Sequence, residues 1–417
     1  MSTWSLTHKN REEGTVKKKS FTILFAAAAF LSLVFLPIVW AERGVTDTEI
    51  RIGQWGPLTG PAALWGAVPR GTGCYFDMIN AEGGIHGRKI SYFMRDDGYM
   101  PPKTKAIVKE LVENKEIFAV ASGVGTATGM AVKKYLHKKR VPWVSPASGS
   151  SHWAYPPTKY LFSIFPLYCD EAAIMANYAV KTLGKKRIAY IYQNDDFGKE
   201  GMLGADMVLR KLGMKAVEAV PVEIMDSDLS SHCMKLKVAN PDCVIMWLSP
   251  KHGAIIVQTA AKMDFKPQWM SSSVLSDTAI MYKVSKGLFK DVIFATFAEL
   301  PDSPHPVLRK YKKAQEKFAP NERWGIFFYA GFGFVEPMVE GLKRCGRDLT
   351  ADNFVKAMET IKDLEGIGPK ITFGPGQRQG TRSSFLAKCI EGGKTIRLSD
   401  WITAPIDIKE VLDGLLK

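Results

Sequence analysis

The sequence predicts an α/β fold of two lobes, each built on a doubly wound parallel sheet. A length of 417 residues favours two domains, because single hydrophobic cores stop growing near about 250 to 300 residues. Apolar residues make up 46% of the chain and charged residues 24%, which excludes a disordered chain and a multi-span membrane protein. Buried-strand patterns alternate with amphipathic helix patterns, as in βαβ units, whose right-handed crossovers give parallel sheets covered on both faces.

The first alternating series predicts the sheet of the first lobe. Strands are predicted at 50–55, 90–94, 117–121 and 141–144, with one helix ending at Asn80 and others at 103–113 and 128–136. A segment rich in proline and aromatic residues, 153–157, then interrupts the rhythm before an apolar stretch at 160–165. We interpret this segment as the first crossing between the lobes.

A second series predicts a second α/β sheet after Asp170. Its strands are predicted at 187–192 and 243–248, and its helices at 199–212 and 253–263. A third block begins near residue 297, with helices at 306–318 and 327–342 and turns rich in glycine and proline at 373–376. Periodicity alone does not decide which lobe this third block joins.

The first forty residues indicate the compartment. Basic residues precede an apolar stretch at 21–39, which ends in Val39-Trp40-Ala41, the pattern of a secretory signal peptide. We predict cleavage after Ala41 and a periplasmic location. An uncleaved anchor is the alternative, because about nineteen apolar residues approach the length of a membrane span.

The net charge and the cysteines exclude several other classes. The formal charge of +14 is spread along the chain without a base-reading motif, so we predict no nucleic-acid partner. The six cysteines contain no CxxC pair and have no histidines at ligand spacing, so neither a metal nor a cofactor is predicted. Cys345 with Cys389 is the disulfide that we name for an oxidising compartment, and the other thiols are expected to be buried and free.

Five segments of the chain, in order, resemble the Leu/Ile/Val-type periplasmic binding proteins. They are IRIGQWGPLTG at 50–60, DMINAEGGIHGRKI at 77–90, DD at 96–97, VSPAS at 144–148 and DDFG at 195–198. The similarity runs from about residue 48 to residue 400. Each segment is weak alone, and their shared order and spacing make the resemblance specific.

The resemblance implies a type I periplasmic binding fold, in which two lobes are joined by a three-strand hinge. Lobe one is then 42–166 plus 297–381, lobe two is 167–296 plus 382–400, and 401–417 is a C-terminal extension. We predict that the protein binds a small organic ligand between the lobes by hinge closure and that it is a monomer, although the sequence does not determine the oligomeric state. Its partner is then the membrane permease of an ABC importer.

The loop at 123–128 is the first candidate for ligand binding. It follows an apolar strand and opens a helix, the context in which backbone N–H groups hold an anion. The resemblance implies that the Thr126 hydroxyl reaches a ligand carboxylate. The same pattern also fits a plain helix N-cap, and a dinucleotide site is disfavoured because only GxG is present.

The other candidate ligand residues come from the resemblance and have structural alternatives. Tryptophans often pack in cores or at partner surfaces, and serines after strands often belong to polar turns. Phe197 falls where amino-acid binders often carry tyrosine, so stacking would remain without the hydroxyl. The full set of candidates is Trp65, Thr126, Ser148, Gly149, Phe197, Ser249, Ser273 and Trp324.

No catalytic constellation is evident, so we predict that the protein is not an enzyme. The sequence has no GxSxG elbow and no HExxH pair. The adjacent aspartates at 96–97 and 195–196 fit loop capping better than general acid–base work. The alternatives are the ligand-sensing domain of a receptor and an exported α/β enzyme such as a nucleotide-dependent oxidoreductase.

Ser273 restricts the expected ligand. In similar amino-acid binders an acidic residue at this position pairs with the ligand ammonium, and no carboxylate follows here until Asp277. We therefore expect a carboxylate or amide ligand with an apolar body and no α-ammonium, because an unpaired buried ammonium is costly. A displaced alignment would instead let Asp277 or Glu299 serve as the acidic partner.

Overall fold

The computed structural model describes residues 42–415, which form two α/β lobes with one sheet each. The predicted signal segment, 1–41, lies outside the described residues. Within 42–415, no helix has the length and apolar character needed to cross a membrane. The predicted fold class, with two parallel-sheet lobes, is confirmed.

Lobe one contains a five-stranded parallel sheet with the strand order β2-β1-β3-β4-β5. The side chains of Ile50 and Ile52, on the strand β1 between β2 and β3, are fully buried. The strands are β1 Glu49–Gly56, β2 Lys89–Asp96, β3 Ala119–Ala121, β4 Trp143–Val144 and β5 Leu161–Phe162, with helices α1 Ala67–Ala81, α2 Pro101–Glu113 and α3 Thr126–Lys138.

Lobe two contains a larger sheet with the order β12-β11-β10-β9-β8-β6-β7, in which β11 and β12 run antiparallel and β13 pairs with β11. Its strands are β6 Ile188–Gln193, β7 Glu218–Val222, β8 Cys243–Trp247, β9 Gln268–Ser271, β10 Ile293–Thr296, β11 Ser383–Cys389, β12 Thr395–Arg397 and β13 Ile402–Thr403. Its helices are α4 Tyr168–Lys181, α5 Asp196–Lys211, α6 Ser230–Ala239, α7 Pro250–Lys262 and α8 Thr278–Val284.

The third block packs against lobe one. Its helices are α9 Pro306–Phe318, α10 Ile326–Gly333, α11 Glu336–Cys345 and α12 Ala351–Glu359. The Thr72 hydroxyl of α1 donates to the Gly331 carbonyl of α10 at 3.1 Å, and the rings of Tyr75 and Phe332 meet edge to face at 5.5 Å. The chain therefore returns to the first lobe after completing most of the second.

The prediction of a single helix over 327–342 is wrong, because a two-residue turn separates α10 from α11. The first helix ends at Gly333 and the next begins at Glu336. Pro337 has no N–H to donate to the Gly333 carbonyl, and its ring would clash with that carbonyl in a continuous helix. Proline instead occupies the first turn of α11, where it is tolerated.

The segment 153–157 is not the crossing between the lobes. The Trp153 ring lies 5.2 Å from the ring of Trp143 in the interior of lobe one, and β5 follows in the same sheet. The chain therefore leaves lobe one after Phe162. The exact lobe boundaries expected from the resemblance remain a prediction.

The expected disulfide between Cys345 and Cys389 is wrong, and all six cysteines are free. Cys345 ends α11, which packs with lobe one, whereas Cys389 ends β11 in the sheet of lobe two. Two thiols on different lobes cannot approach to the 4 to 7 Å Cα separation that a disulfide needs without movement of the backbone.

The C-terminal extension packs on lobe two. It contains α13, Ile408–Leu415, and the Glu410 carboxylate lies 2.8 Å from the Lys211 ammonium of α5. Ile406 and Val411 are buried among core residues. This packing covers the outer face of α5, whose first turn faces the other lobe.

Candidate functional site

A half-open cavity lies between the lobes, beyond the carboxyl ends of strands from both sheets, and its empty space is about 420 Å³ when the open solvent at its mouth is included. This is where ligands bind in doubly wound sheets. Its wall is mostly aromatic and aliphatic, and it carries no charged side chain within the described part of the chain. The lining residues are Ala62, Trp65, Tyr99, Val124, Gly125, Ala147, Phe165, Tyr168, Gln193, Phe197, Ser249, Pro250 and Val274.

The lobe-one end of the cavity is formed by two extended strands and the start of α3. Val124 and Ala147 pair as an isolated parallel bridge, and Gly125 has φ +107°, which only glycine adopts without strain. The Thr126 hydroxyl, the first of α3, lies 2.8 Å from the Ser148 hydroxyl, and both are buried. The two hydroxyls lie directly behind Gly125 and Ala147 and are brought together as one polar cluster.

Tyr168 joins this cluster from lobe two, and sequence reasoning missed it. Its hydroxyl is within hydrogen-bond reach of Ser148 and Thr126, while burial raises its pKa, so it remains a neutral donor. A Cβ on Gly149 would lie 2.2 Å from the Pro166 carbonyl and 2.8 Å from the Tyr168 ring. Gly149 therefore lets the ring approach the loop, and the signal that could have identified Tyr168 is its position just after the crossing.

The aromatic walls meet across the cleft. The Trp65 indole nitrogen donates to the Val274 carbonyl of lobe two at 3.0 Å, and its ring lies 5.0 Å from the ring of Phe327. Phe197, in the first turn of α5, packs its ring edge to face with Tyr168 at 5.0 Å. Trp65 and Phe197 thus both line the cavity, and Trp65 also connects the two lobes.

Tyr99 and Gln193 form a second polar pair across the cavity that the sequence did not identify. Both side chains line the cavity, and burial raises the pKa of Tyr99 well above its ordinary value. The Gln193 amide also donates to the Asp195 carboxylate at 2.5 Å. Tyr99 is separated from the Asp96-Asp97 pair only by Gly98, and this position is the signal that could have found it.

The remaining candidates differ in their positions. Ser249 lines the cavity and also caps α7 by accepting from the His252 N–H. Trp324 lies outside the lining, where its indole nitrogen donates to the Pro301 carbonyl at 3.0 Å and its ring lies 4.9 Å from Tyr329. Ser273 is fully buried behind the neighbouring Val274.

A buried carboxyl group, that of Glu171, lies beside the loop that carries Ser273. The Ser273 N–H donates to its Oε2 at 3.2 Å, and its Oε1 has no partner among the described residues. Burial raises the pKa of Glu171 to about 8, so this carboxyl is mostly protonated at neutral pH. The buried hydroxyls of four serines in and beside the loop that carries Ser273 also have no partner within 42–415; these are Ser271, Ser272, Ser273 and Ser276.

The raised pKa of Glu171 predicts that the protein loses stability as the pH rises. In the native state the Glu171 carboxyl keeps its proton up to about pH 8, whereas in the unfolded chain it releases the proton near its ordinary pKa of 4.5. The stabilisation from this proton is therefore complete below pH 4.5 and is lost as the pH rises through about 8. Urea unfolding at pH 5.5, 6.5 and 7.5 should show that the free energy of unfolding of the wild type falls with pH. In Glu171→Gln this fall should be smaller by up to about 1.4 kcal/mol per pH unit. An unchanged slope in Glu171→Gln would contradict the assignment, and Glu316→Gln, at an exposed position, is the control.

The described residues contain no group of three or more His, Cys, Asp and Glu side chains arranged to hold a metal ion. What the site offers is hydroxyl, amide and backbone donors at its polar ends and aromatic faces between them. Such an arrangement can bind and orient a small molecule.

Comparisons with known proteins agree with this geometry. Residues 49–394 match the model of a family described as "Periplasmic binding protein". A Leu/Ile/Val-binding protein homolog 3 of Brucella melitensis is 24% identical, over 78% of this chain and 87% of its own. A Leu/Ile/Val-binding protein BraC3 of Rhizobium johnstonii is 23% identical, over 89% and 97%.

Solved structures share the fold. A fatty acid ABC transporter substrate-binding protein from Thermomonospora curvata superposes with a TM-score of 0.80 at 21% identity, over 87% of this chain and 95% of that one. A branched-chain amino acid ABC transporter protein from Thermus thermophilus with bound valine superposes with a TM-score of 0.79 at 17% identity, over 87% and 98%. Both likenesses concern the arrangement of the two lobes.

Proposed function

Because the chain belongs to the periplasmic binding protein family, we propose that it is the exported substrate-binding protein of an ABC importer. The family consists of solute-binding proteins and not of enzymes. In the proposed mechanism the signal segment directs export, the ligand bridges the lobes, and the closed form is presented to a membrane permease. Differential affinity of the ligand for the closed state supplies the free energy of closure.

The observation that carries this proposal is the uncharged, aromatic cavity whose lining comes from both lobes. Its polar lining residues are Tyr99, Tyr168, Gln193 and Ser249, whereas Thr126 and Ser148 directly follow the lining residues Gly125 and Ala147 and are not part of the lining. Donors of this kind suit a carboxylate or an amide, and the aromatic faces suit an apolar body. The names of the relatives include branched-chain amino acids and a fatty acid, so they do not select one ligand.

The three acids considered for pairing with a ligand ammonium, Asp277, Glu299 and Glu171, support a ligand without that group. Asp277 accepts from the Arg323 guanidinium and from the Phe327 N–H at 3.2 Å, and Glu299 is 3.3 Å from the guanidinium of Arg397. Each of these carboxylates already has a cationic partner. Glu171 would have to release its proton before it could pair with an ammonium.

Calorimetric titration with leucine and with its deaminated analogue, 4-methylpentanoate, tests the ligand class. We expect leucine to bind at least about 10² to 10³ times more weakly, because a buried unpaired ammonium costs on the order of 3 to 5 kcal/mol. Phenylacetate and 4-methylpentanamide extend the series to an aromatic body and to an amide. Micromolar binding of leucine with no binding of the deaminated compounds would show that the ligand class is wrong.

A further inference from the structure

A second buried carboxyl group, that of Glu200, lies directly against the ligand-facing loop of the opposite lobe. Glu200 belongs to α5 of lobe two, one helical turn after Phe197, and is 1% exposed. Its Oε2 accepts from the Ser151 N–H at 2.8 Å, and its Oε1 accepts from the Ser150 hydroxyl. Both donors follow Ser148 in the loop after β4, so one side chain connects the binding segments of the two lobes.

We propose that Glu200 is a positioning residue that joins the lobe-one binding loop to lobe two and makes closure of the cleft dependent on pH. The proposal rests on the proposed function, in which closure captures the ligand. Glu200 is not among the residues that line the cavity. It acts through Ser150 and Ser151, whose positions fix the neighbouring Ser148 hydroxyl.

The contact is buried on every side. A Cβ on Gly204, one turn further along α5, would lie 2.0 Å from the Cys169 carbonyl of α4, so the two helices are in direct backbone contact on this side. From lobe one, Ser150 and Ser151 cover both carboxyl oxygens. The carboxyl therefore exchanges water for these hydrogen bonds when the lobes meet.

The charged and titratable groups that face Glu200 do not neutralise it. His152 Nε2 lies 3.9 Å from its Oε1, and burial lowers the pKa of this histidine, so the ring is neutral through most of the range of interest. Lys133 donates to the His152 carbonyl and not to Glu200. Asp196 on the same helix and Cys169 on α4 lie nearby, and neither is cationic.

Burial raises the pKa of Glu200 to about 7, and the hydrogen bonds from Ser150 and Ser151 oppose this rise only in part. In an open molecule the carboxyl is in water and has its ordinary pKa of 4.5. Closure of the lobes therefore takes up a proton on Glu200. Protonation favours the closed state fully below pH 4.5, and this stabilisation of the closed state is lost as the pH rises through about 7. Between pH 5.5 and pH 8.5 the closing constant should fall roughly 30-fold.

Small-angle scattering of the full chain without added ligand tests this inference at pH 5.5 and pH 8.5. We expect the wild type to have a larger radius of gyration at pH 8.5. Glu200→Gln keeps an acceptor for Ser151 and carries no charge, so it should stay compact at both values. Glu200→Ala loses both hydrogen bonds and should be expanded at both, with circular dichroism confirming that each variant is folded.

Glu316→Gln, at an exposed position of α9, is the matched control and should behave as the wild type does. A pH-independent wild type, or a Glu200→Gln variant that retains the wild-type change, would overturn the inference. The scattering experiment contains no ligand, so its result is independent of the titrations with leucine and 4-methylpentanoate. Failure of those titrations would concern the ligand class and leave the Glu200 contact unaffected.

Discussion

Replacement of Arg382 by methionine is expected to lower the free energy of unfolding by about 3 to 5 kcal/mol. The Arg382 guanidinium donates to both oxygens of Asp170, at 2.8 and 2.6 Å, and the Asp170 side chain is fully buried. Removal of the arginine leaves a buried carboxylate without its cation. The pair also connects the first turn of α4 with the residue that directly precedes β11.

Urea unfolding of Arg382→Met beside the wild type measures this effect. Lys370→Met is the control, because Lys370 pairs with Glu365 at the surface, where both side chains are more than half exposed, and such pairs contribute about 0 to 1 kcal/mol. The defect of Arg382→Met should shrink as the pH falls, because burial already raises the pKa of Asp170 and removal of the guanidinium raises it further. A loss below about 1 kcal/mol at pH 7 would contradict the assigned role.

Substitution of Gly71 by alanine is expected to destabilise lobe one by about 3 kcal/mol or more. A Cβ at this position of α1 would lie 1.9 Å from the Phe328 carbonyl oxygen of α10. The obstructing atom belongs to the backbone of a packed helix, so the two helices would have to separate. Differential scanning calorimetry should therefore show a lower midpoint for the transition of this lobe.

Gly73 of the same helix provides the control for Gly71. A Cβ there would lie 3.4 Å from the Tyr92 ring, an ordinary contact distance. Gly73→Ala should be neutral or stabilising by up to about 1 kcal/mol, because alanine favours the helix. Equal effects of the two substitutions would show that helix propensity, and not the close approach of α1 to α10, determines the result.

Local patterns were sufficient for most of the parallel architecture. The run at 243–248 corresponds to β8, because strands buried on both faces are continuously apolar. The prediction at 50–55 corresponds to β1, whose pattern includes Arg51 and Gln54. The edge strand β7 was not predicted, since its exposed alternate positions and Pro221 weaken the pattern. The break between α10 and α11 was missed because the apolar periodicity continues across it.

The site was less accessible to sequence reasoning than the fold. The strand–loop–helix pattern led to the loop at Gly125, and the resemblance led to Ser249; both residues line the cavity. Tyr168, Glu171 and Glu200 were not found, because their roles depend on partners that are distant in the sequence: Ser273 is 102 residues from Glu171, and Ser150 is 50 residues from Glu200. Burial, and not residue type, gives these carboxyls their unusual pKa values.

The packing of α1 against α10 determines when lobe one can be completed during synthesis of the chain. The hydrogen bond from Thr72 to Gly331 joins positions 259 residues apart, whereas β6 to β10 of lobe two form from one uninterrupted stretch of chain. During synthesis from the N-terminus, the lobe that comes first in the sequence therefore stays incomplete until the third block has been made, and lobe two still awaits β11. The apolar face of α1 remains without its partner helix until residue 333 has emerged.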